Sequence, residues 1–394
     1  MPKNKLNTNM LLLLCVILAG CAAPQTRTPL VNSASASEEA KKQQTLVAED
    51  YVNSYQKLQS VTSKIITSGT DLCAEKVSSY YGFNFWNQNS VDASLKEATK
   101  ARYNLGETFS VLNVAPNTPA FNAGLKEGDV LVSLNSWLIP IGKESEKQLS
   151  KKLVEYGKDL APLEITVLRN SANQKVTITP VKACDFNVHL VPDEAKNAYA
   201  DGKIIVINKG MMDFFKSDEE IALVVSHELA HNAMKHIDAK QKNAMIGGFF
   251  GLLLDVAAAT AGVNTNGDFT RLGAGLTGNA YSVEFEQEAD YVGLYFMEKA
   301  HFDITNAAAF WRRMAVSNSK AITIKTSHPT TPERFLAIET TVAEIKGKVA
   351  KGEMLKPELK ANHKPEVKAA AAAEANAETL PEIAPTAEAE LPPT

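Results

Sequence analysis

Apolar residues recur along this chain with two different periods, and the changes of period mark its organisation. From Thr45 to about Ile66, Val47, Tyr51, Tyr55, Leu58, Val61 and Ile65 return every three or four positions, which predicts a leading helix. Between about Ala101 and Pro180 the rhythm shortens. There "FSVLNV" and "DVLVSL" read as strands, separated by a short helix at "PAFNAG" and a turn at "KEGD". After a helical "SEKQLSKKLVEYG", the runs "PLEITVLR" and "QKVTITPV" predict a hairpin around "NSAN". The helical period then returns in "SDEEIALVVSHELAHNAMKH", where Ser217 and Glu220 are spaced as a capping box. It returns again in "YSVEFEQEADYVGLYF", with Tyr281, Phe285, Ala289 and Val292 as the apolar stripe. Between these two helices, Met245 to Val263 is apolar apart from Asp255 and just long enough to cross a bilayer. Its scattered Ala and Gly, with that one acid, predict a buried helical hairpin or a lid rather than a span. A surface that grazes a membrane is the other reading.

The two ends lie outside this pattern. Lys3 and Lys5 precede the short apolar run "MLLLLCVIL", which reads as a secretory signal. It closes on Leu18-Ala19-Gly20-Cys21, which resembles a bacterial lipobox; Cys21 would carry the lipid and hold the protein to a membrane. Ala22 after it resembles lipoproteins sorted to the outer membrane. The stretch to Gln44 has few large apolar residues and is expected to be a flexible tether. The Ala/Glu/Pro-biased C-terminal stretch is expected to be disordered.

Composition narrows the function classes. The 394 residues are 45% hydrophobic and 22% charged with a net charge of −4, which suits a folded chain and gives no footprint for nucleic acid. After Cys21 only Cys73 and Cys184 remain. Export would place them in an oxidising compartment, where a disulfide is favoured over two buried thiols.

The candidate chemistry sits in "SHELAH". His227 and His231 are one helical turn apart on one face, so both imidazoles can reach one metal ion. Glu228, about 100° round the helix, can serve as the general base. Three protein ligands would leave zinc a fourth position at which water becomes acidic enough to react near neutral pH. His236, nine residues after His227, falls on the opposite face of a continued helix and reads as an ordinary histidine. The second acidic helix offers two pairs spaced by four, Glu284/Glu288 and Glu286/Asp290; spacing does not choose between them.

The stretch from about Phe186 to Ile338 resembles the HtpX and CAAX-prenyl-protease family of zinc metallopeptidases. The resemblance implies Glu286 as third ligand and Asp290 as the partner that orients a ligand histidine. Val283 stands where that family has arginine. In "SHPTTPERF" it implies His328 at the oxyanion or closing over the metal, and Arg334 fixing that loop. Asn197-Ala198 and Gly210-Met211 resemble the family's edge strand, which can hold a substrate by backbone pairing. Pro119-Ala120, Ala123-Gly124-Leu125 and Gly128-Asp129 resemble the signature of a bacterial PDZ domain, whose ligands are extended peptides or C-termini. Leu105, Gly106 and Glu107 are the candidate carboxylate-binding loop.

The expected architecture is an α+β multidomain chain. A mostly helical zincin of the gluzincin type, with a small edge sheet, carries an inserted β-rich PDZ domain. The segments are a signal peptide (1–20), tether (21–44), a helical segment packing on the peptidase domain (45–100), a PDZ-like domain (101–182), a metallopeptidase domain (183–350) and a disordered tail (351–394). The expected activity is a zinc endopeptidase with one Zn2+ per chain, lipid-anchored on the periplasmic side of the bacterial envelope at the outer membrane. Its expected partners are unfolded or mis-assembled envelope proteins, and no nucleic acid. The competing classes are a PDZ-based chaperone with a structural zinc, and a protease embedded in the membrane.

Overall fold

The computed structural model describes residues 26–260, 263–278, 282–317 and 332–360. Cys21 and the tail beyond residue 360 lie outside them. The chain divides into two compact units, taken in turn.

The first unit begins with α1 (Ser33–Ser68). The expected tether is thus helical from residue 33. Residues 33–43 are exposed, so propensity rather than packing makes them helical. Asn32 Oδ1 accepts the Ser35 N–H at 2.8 Å, a side-chain cap on the first turn, and the following Ala, Glu, Lys and Gln are good helix formers. Farther along, Ala48, Val52, Leu58, Val61 and Ile65 form the buried face.

After α1 come β1 (Val77–Tyr80), β2 (Phe83–Trp86), α2 (Lys96–Tyr103), β3 (Ser110–Val114), α3 (Pro119–Asn122), β4 (Val130–Leu134), β5 (Trp137–Leu138), α4 (Ser145–Gly157), β6 (Leu163–Arg169), β7 (Ala172–Ile178) and β8 (Val181–Cys184). The sheet order is β2-β3-β4-β6-β7, with β5 beside β4. Alternation builds its core: Val111, Leu131, Leu163, Ile165, Val167, Val176 and Ile178 point inward onto Phe109, Leu125 and Leu149. Asn170 and Ser171, both with positive φ, make the tight turn of the β6–β7 hairpin.

This sheet does not start at residue 101. Strand β2 pairs with β3 from Phe83↔Val114 to Trp86↔Ser110, so the β-rich domain begins near residue 83. The short run "FNFW" carried too little periodicity to be separated from its surroundings. Cys73 and Cys184 are both buried and both disulfide-bonded.

The unit continues through β9 (Asn187–Val191), β10 (Ala198–Ala200), β11 (Ile204–Asn208) and α5 (Lys209–Phe214). These strands form a small sheet ordered β10-β11-β9, with β11 parallel to β9. Gly210 is required where it stands, because a Cβ there would lie 1.9 Å from the Glu194 carbonyl oxygen. Helix α1 packs within this unit, its Tyr51 hydroxyl donating to Leu190 O (2.6 Å) and Gln59 to Val188 O (2.8 Å).

The second unit is helical: α6 (Asp218–Ala233), α7 (His236–Thr260), α8 (Asp268–Gly278), α9 (Ser282–Lys299), α10 (Ala307–Ser317) and α11 (Pro332–Lys351). From Ile221 to Ala233 every residue of α6 is buried, the polar Ser226, His227, Glu228, His231 and Asn232 among them. Ser217 makes no side-chain cap, so the expected capping box does not form. Arg313 takes Glu220 instead, its two Nη groups donating to the two carboxylate oxygens at 2.6 and 2.5 Å.

Helices α6 and α9 approach closely at Gly293, where a Cβ would stand 3.2 Å from the backbone of Ser226 and His227. Residues 352–360, expected in the disordered tail, are held in place. Lys348 donates to Lys356 O and Glu358, and Glu358 N donates to Tyr291 Oη at 2.9 Å. Helices α7 and α8 form a hairpin, but its apolar side chains are exposed rather than buried.

Candidate metal centre

Two helices supply the centre. On α6, His227 and His231 present their Nε2 atoms 3.1 Å apart. On α9, Glu286 places Oε2 3.4 Å from His227 Nε2 and Oε1 3.3 Å from His231 Nε2. All three residues are buried. Ligands about 2.0–2.1 Å from a tetrahedral zinc stand roughly 3.3 Å from one another. Two imidazole nitrogens and one carboxylate oxygen at 3.1–3.4 Å therefore fit one face of such a site. Glu228, also buried, follows His227 on the same helix.

The geometry separates the two acid pairs. Glu286 and Asp290 are buried and turned toward the histidines, whereas Glu284 is exposed. Asp290 Oδ1 lies 2.9 Å from His227 Nδ1, so it receives that proton when Nε2 serves a metal. Arg334 grips Asp290 through Nε (2.5 Å) and Nη2 (2.9 Å), and its Nη1 is 3.4 Å from Glu286. The guanidinium lies over the Trp311 ring at 4.5 Å, and the same ring meets His227 edge-on at 5.2 Å.

Charge at the site is set by these contacts. Burial disfavours a protonated His227, but Asp290 and Glu286 outweigh it and lift the imidazole to about 9. Burial likewise opposes ionisation of Asp290, yet Arg334 and His227 hold it below the usual carboxylate range. The carboxylates thus make a field that favours positive charge where the three ligand atoms converge.

His236 is buried and outside the ligand group, as an ordinary core histidine would be, but it does not lie on the opposite face. Its Nδ1 is 2.9 Å from His231 Nδ1, and its Nε2 is 2.9 Å from Glu288 Oε2. Lys235, at φ +57°, breaks the helix after Ala233, so the regular helical angle no longer applies and His236 swings back beneath His231. Phe285 stacks on its ring at 4.6 Å. Each ligand histidine therefore has its second nitrogen engaged, His227 by Asp290 and His231 by His236. Sequence reasoning gave His236 and Glu288 no role at the site and did not single out Trp311. The only signal was the histidine in "AMKH", and a left-handed lysine cannot be read from its letter.

The other candidates fall elsewhere. His328 lies outside the described residues. Leu105 is buried against Val52 and Trp86, Gly106 O accepts from Gln88 N (3.0 Å), and Glu107 O accepts from Asn87 (3.1 Å).

These features are those of a site that could hold a metal ion. Residues 166–342 match the profile of Peptidase family M48 and residues 82–179 that of a PDZ domain. Among similar proteins, the mitochondrial metalloendopeptidase OMA1 of Schizosaccharomyces pombe is 28% identical over 178 residues, 44% of this chain and 51% of that protein. Metalloprotease YcaL of Escherichia coli K12 is 28% identical over 207 residues, 52% of this chain and 76% of that one. The beta-barrel assembly-enhancing protease of Escherichia coli O157:H7 is 26% identical over 164 residues, 39% of this chain and 33% of that one. The chain spans about half or less of the length of the OMA1 and assembly-enhancing relatives. It combines M48 peptidase and PDZ domains and is homologous to these proteases.

Proposed function

We propose that the protein is a zinc endopeptidase of the bacterial cell envelope, of the gluzincin type, tethered through lipid on Cys21. One observation carries this reading: two buried imidazoles and a buried carboxylate converge at 3.1–3.4 Å, with Glu228 on the helix that presents both histidines. His227, His231 and Glu286 would hold the ion, which supplies the Lewis acidity that makes water reactive at neutral pH. Glu228 takes the proton of the attacking water and returns it to the leaving amine nitrogen. Asp290, clamped by Arg334, and His236, hydrogen-bonded to Glu288, keep the two ligand imidazoles in the tautomer and orientation the task needs. His328 would stabilise the oxyanion, a role implied by family resemblance.

In the PDZ domain, β2 ends the sheet order, and its outer edge suits strand addition by an extended peptide or C-terminus. Unfolded or mis-assembled envelope proteins are the substrate class that fits such a pairing of domains. The test is Glu228→Gln in the full chain, with casein as substrate. Cleavage should fall by about 10²- to 10⁴-fold while the metal-to-protein ratio stays unchanged. Undiminished cleavage refutes the assignment.

A further inference from the structure

The α7–α8 hairpin presents an apolar surface that the peptidase chemistry does not use. Taking the line Gly247–Gly251–Asp255 as one side of α7, Met245, Phe249, Leu253 and Val256 lie opposite at 100° per residue. Ile246, Phe250 and Leu254 fill one flank and Leu252 the other. All are exposed, Met245 by 75%, Phe250 by 61% and Leu254 by 56%. The apolar surface therefore runs round the whole circumference that α8 leaves open, and α8 adds Leu272 and Leu276. A helix docking on one flat partner keeps a polar side toward water; this one has none. A helix apolar all round belongs either in a protein core or in hydrocarbon. Here the length and composition suit a membrane, and the residues are not in the core.

The interior of the hairpin is built for the same medium. Gly247 and Gly273 bring the two backbones together, each leaving no room for a Cβ, which would lie 2.2 Å from a carbonyl oxygen of the other helix. Backbone packing of this kind joins helices where lipid removes the hydrophobic drive. The one charged residue within the apolar stretch, Asp255, is turned inward onto the start of α8. It accepts from Phe269 N (3.2 Å), Thr270 N (2.8 Å) and the hydroxyls of Thr265 and Thr270. Donors at that helix end are thereby satisfied without water, as an apolar medium demands. The belt is bounded by polar residues, Lys240 and Lys242 at the base and Asn264, Asn266, Asp268 and Arg271 at the tip. From Met245 to Thr260 the axis is ~24 Å long, against ~30 Å for a hydrocarbon core.

We infer that this hairpin inserts into the lipid bilayer, independently of any lipid on Cys21. The test places an environment-sensitive fluorophore on Leu253→Cys in a chain that also carries Cys15→Ser and Cys21→Ser, which removes the competing thiols and any lipid, while Cys73 and Cys184 are disulfide-bonded. The protein is mixed with vesicles of phosphatidylethanolamine and phosphatidylglycerol, with or without brominated acyl chains. Emission should shift to the blue and lose most of its intensity with brominated lipid. The same label on Lys147→Cys, on exposed α4, should do neither. Adding Phe250→Asp and Leu254→Asp to the Leu253 reporter should abolish the quenching, and Glu228→Gln should not change it. A reporter that is insensitive to brominated lipid overturns the inference. If it then shifts with protein concentration, a second copy of the chain covers the belt; if it stays solvent-like, nothing does.

Discussion

Replacing Asp290 by Asn tests how the centre is held. The change is almost isosteric but removes one charge from a pair whose members are 4% and 1% exposed. Arg334 is then left buried against the Trp311 ring, with the Glu286 carboxylate 3.4 Å away. Breaking a buried pair in this way typically costs ~3–5 kcal/mol. Glu286 partly compensates, so about 3 kcal/mol is expected here. That compensation draws on a metal-holding carboxylate, and His227 loses its orienting acceptor. Metal affinity should accordingly fall by about 10- to 100-fold.

The double replacement Asp290→Leu with Arg334→Met should recover most of the stability, because well-packed apolar residues often match a buried pair. It should not recover the affinity. Urea unfolding of the metal-stripped protein gives the stability, followed through Trp311 emission after Trp86→Phe and Trp137→Phe. Chelator competition gives the affinity. A cost below ~1 kcal/mol for Asp290→Asn, or a double variant as unstable as the sum of its singles, would refute the reasoning.

Three further outcomes follow. His236→Gln removes the group beneath His231 Nδ1 and should weaken metal binding by roughly 10-fold or more in the same competition; unchanged affinity would leave His236 a bystander. Gly251→Val forces a side chain into the Phe269 carbonyl, 2.0 Å from an added Cβ, and should open the hairpin at a cost of ~1–3 kcal/mol. Amide exchange would then show α8 deprotected while α6 is not. Reducing the disulfide-bonded Cys73 and Cys184 should lower unfolding stability by about 2–4 kcal/mol, measured as a shift in urea midpoint.

Local pattern made much of this protein legible. The alternation of β3, β4, β6 and β7 is a two-residue period with one face in a core, and it survives in the letters. The turn spacing of His227 and His231 is likewise a property of one helix. Strand β2 was missed because it is four residues long and is a strand only through pairing with β3. The start of α1 was missed because its first turns bury nothing and hold by propensity and the Asn32 cap.

What the sequence by itself determined is whatever a single element can express: the histidine pair with its glutamate, the sheet's in-and-out pattern and the apolar stretch of α7. What only the tertiary structure decided is how separate elements meet. It selected Glu286 and Asp290 over Glu284 and Glu288, gave Glu220 to Arg313 instead of a helix cap, and carried His236 back to His231 through one left-handed residue. It also left the hairpin's apolar belt outside the core. The physical reason is common to all four: each depends on a distance between elements or on a break in helical regularity, and neither is encoded in spacing along one helix.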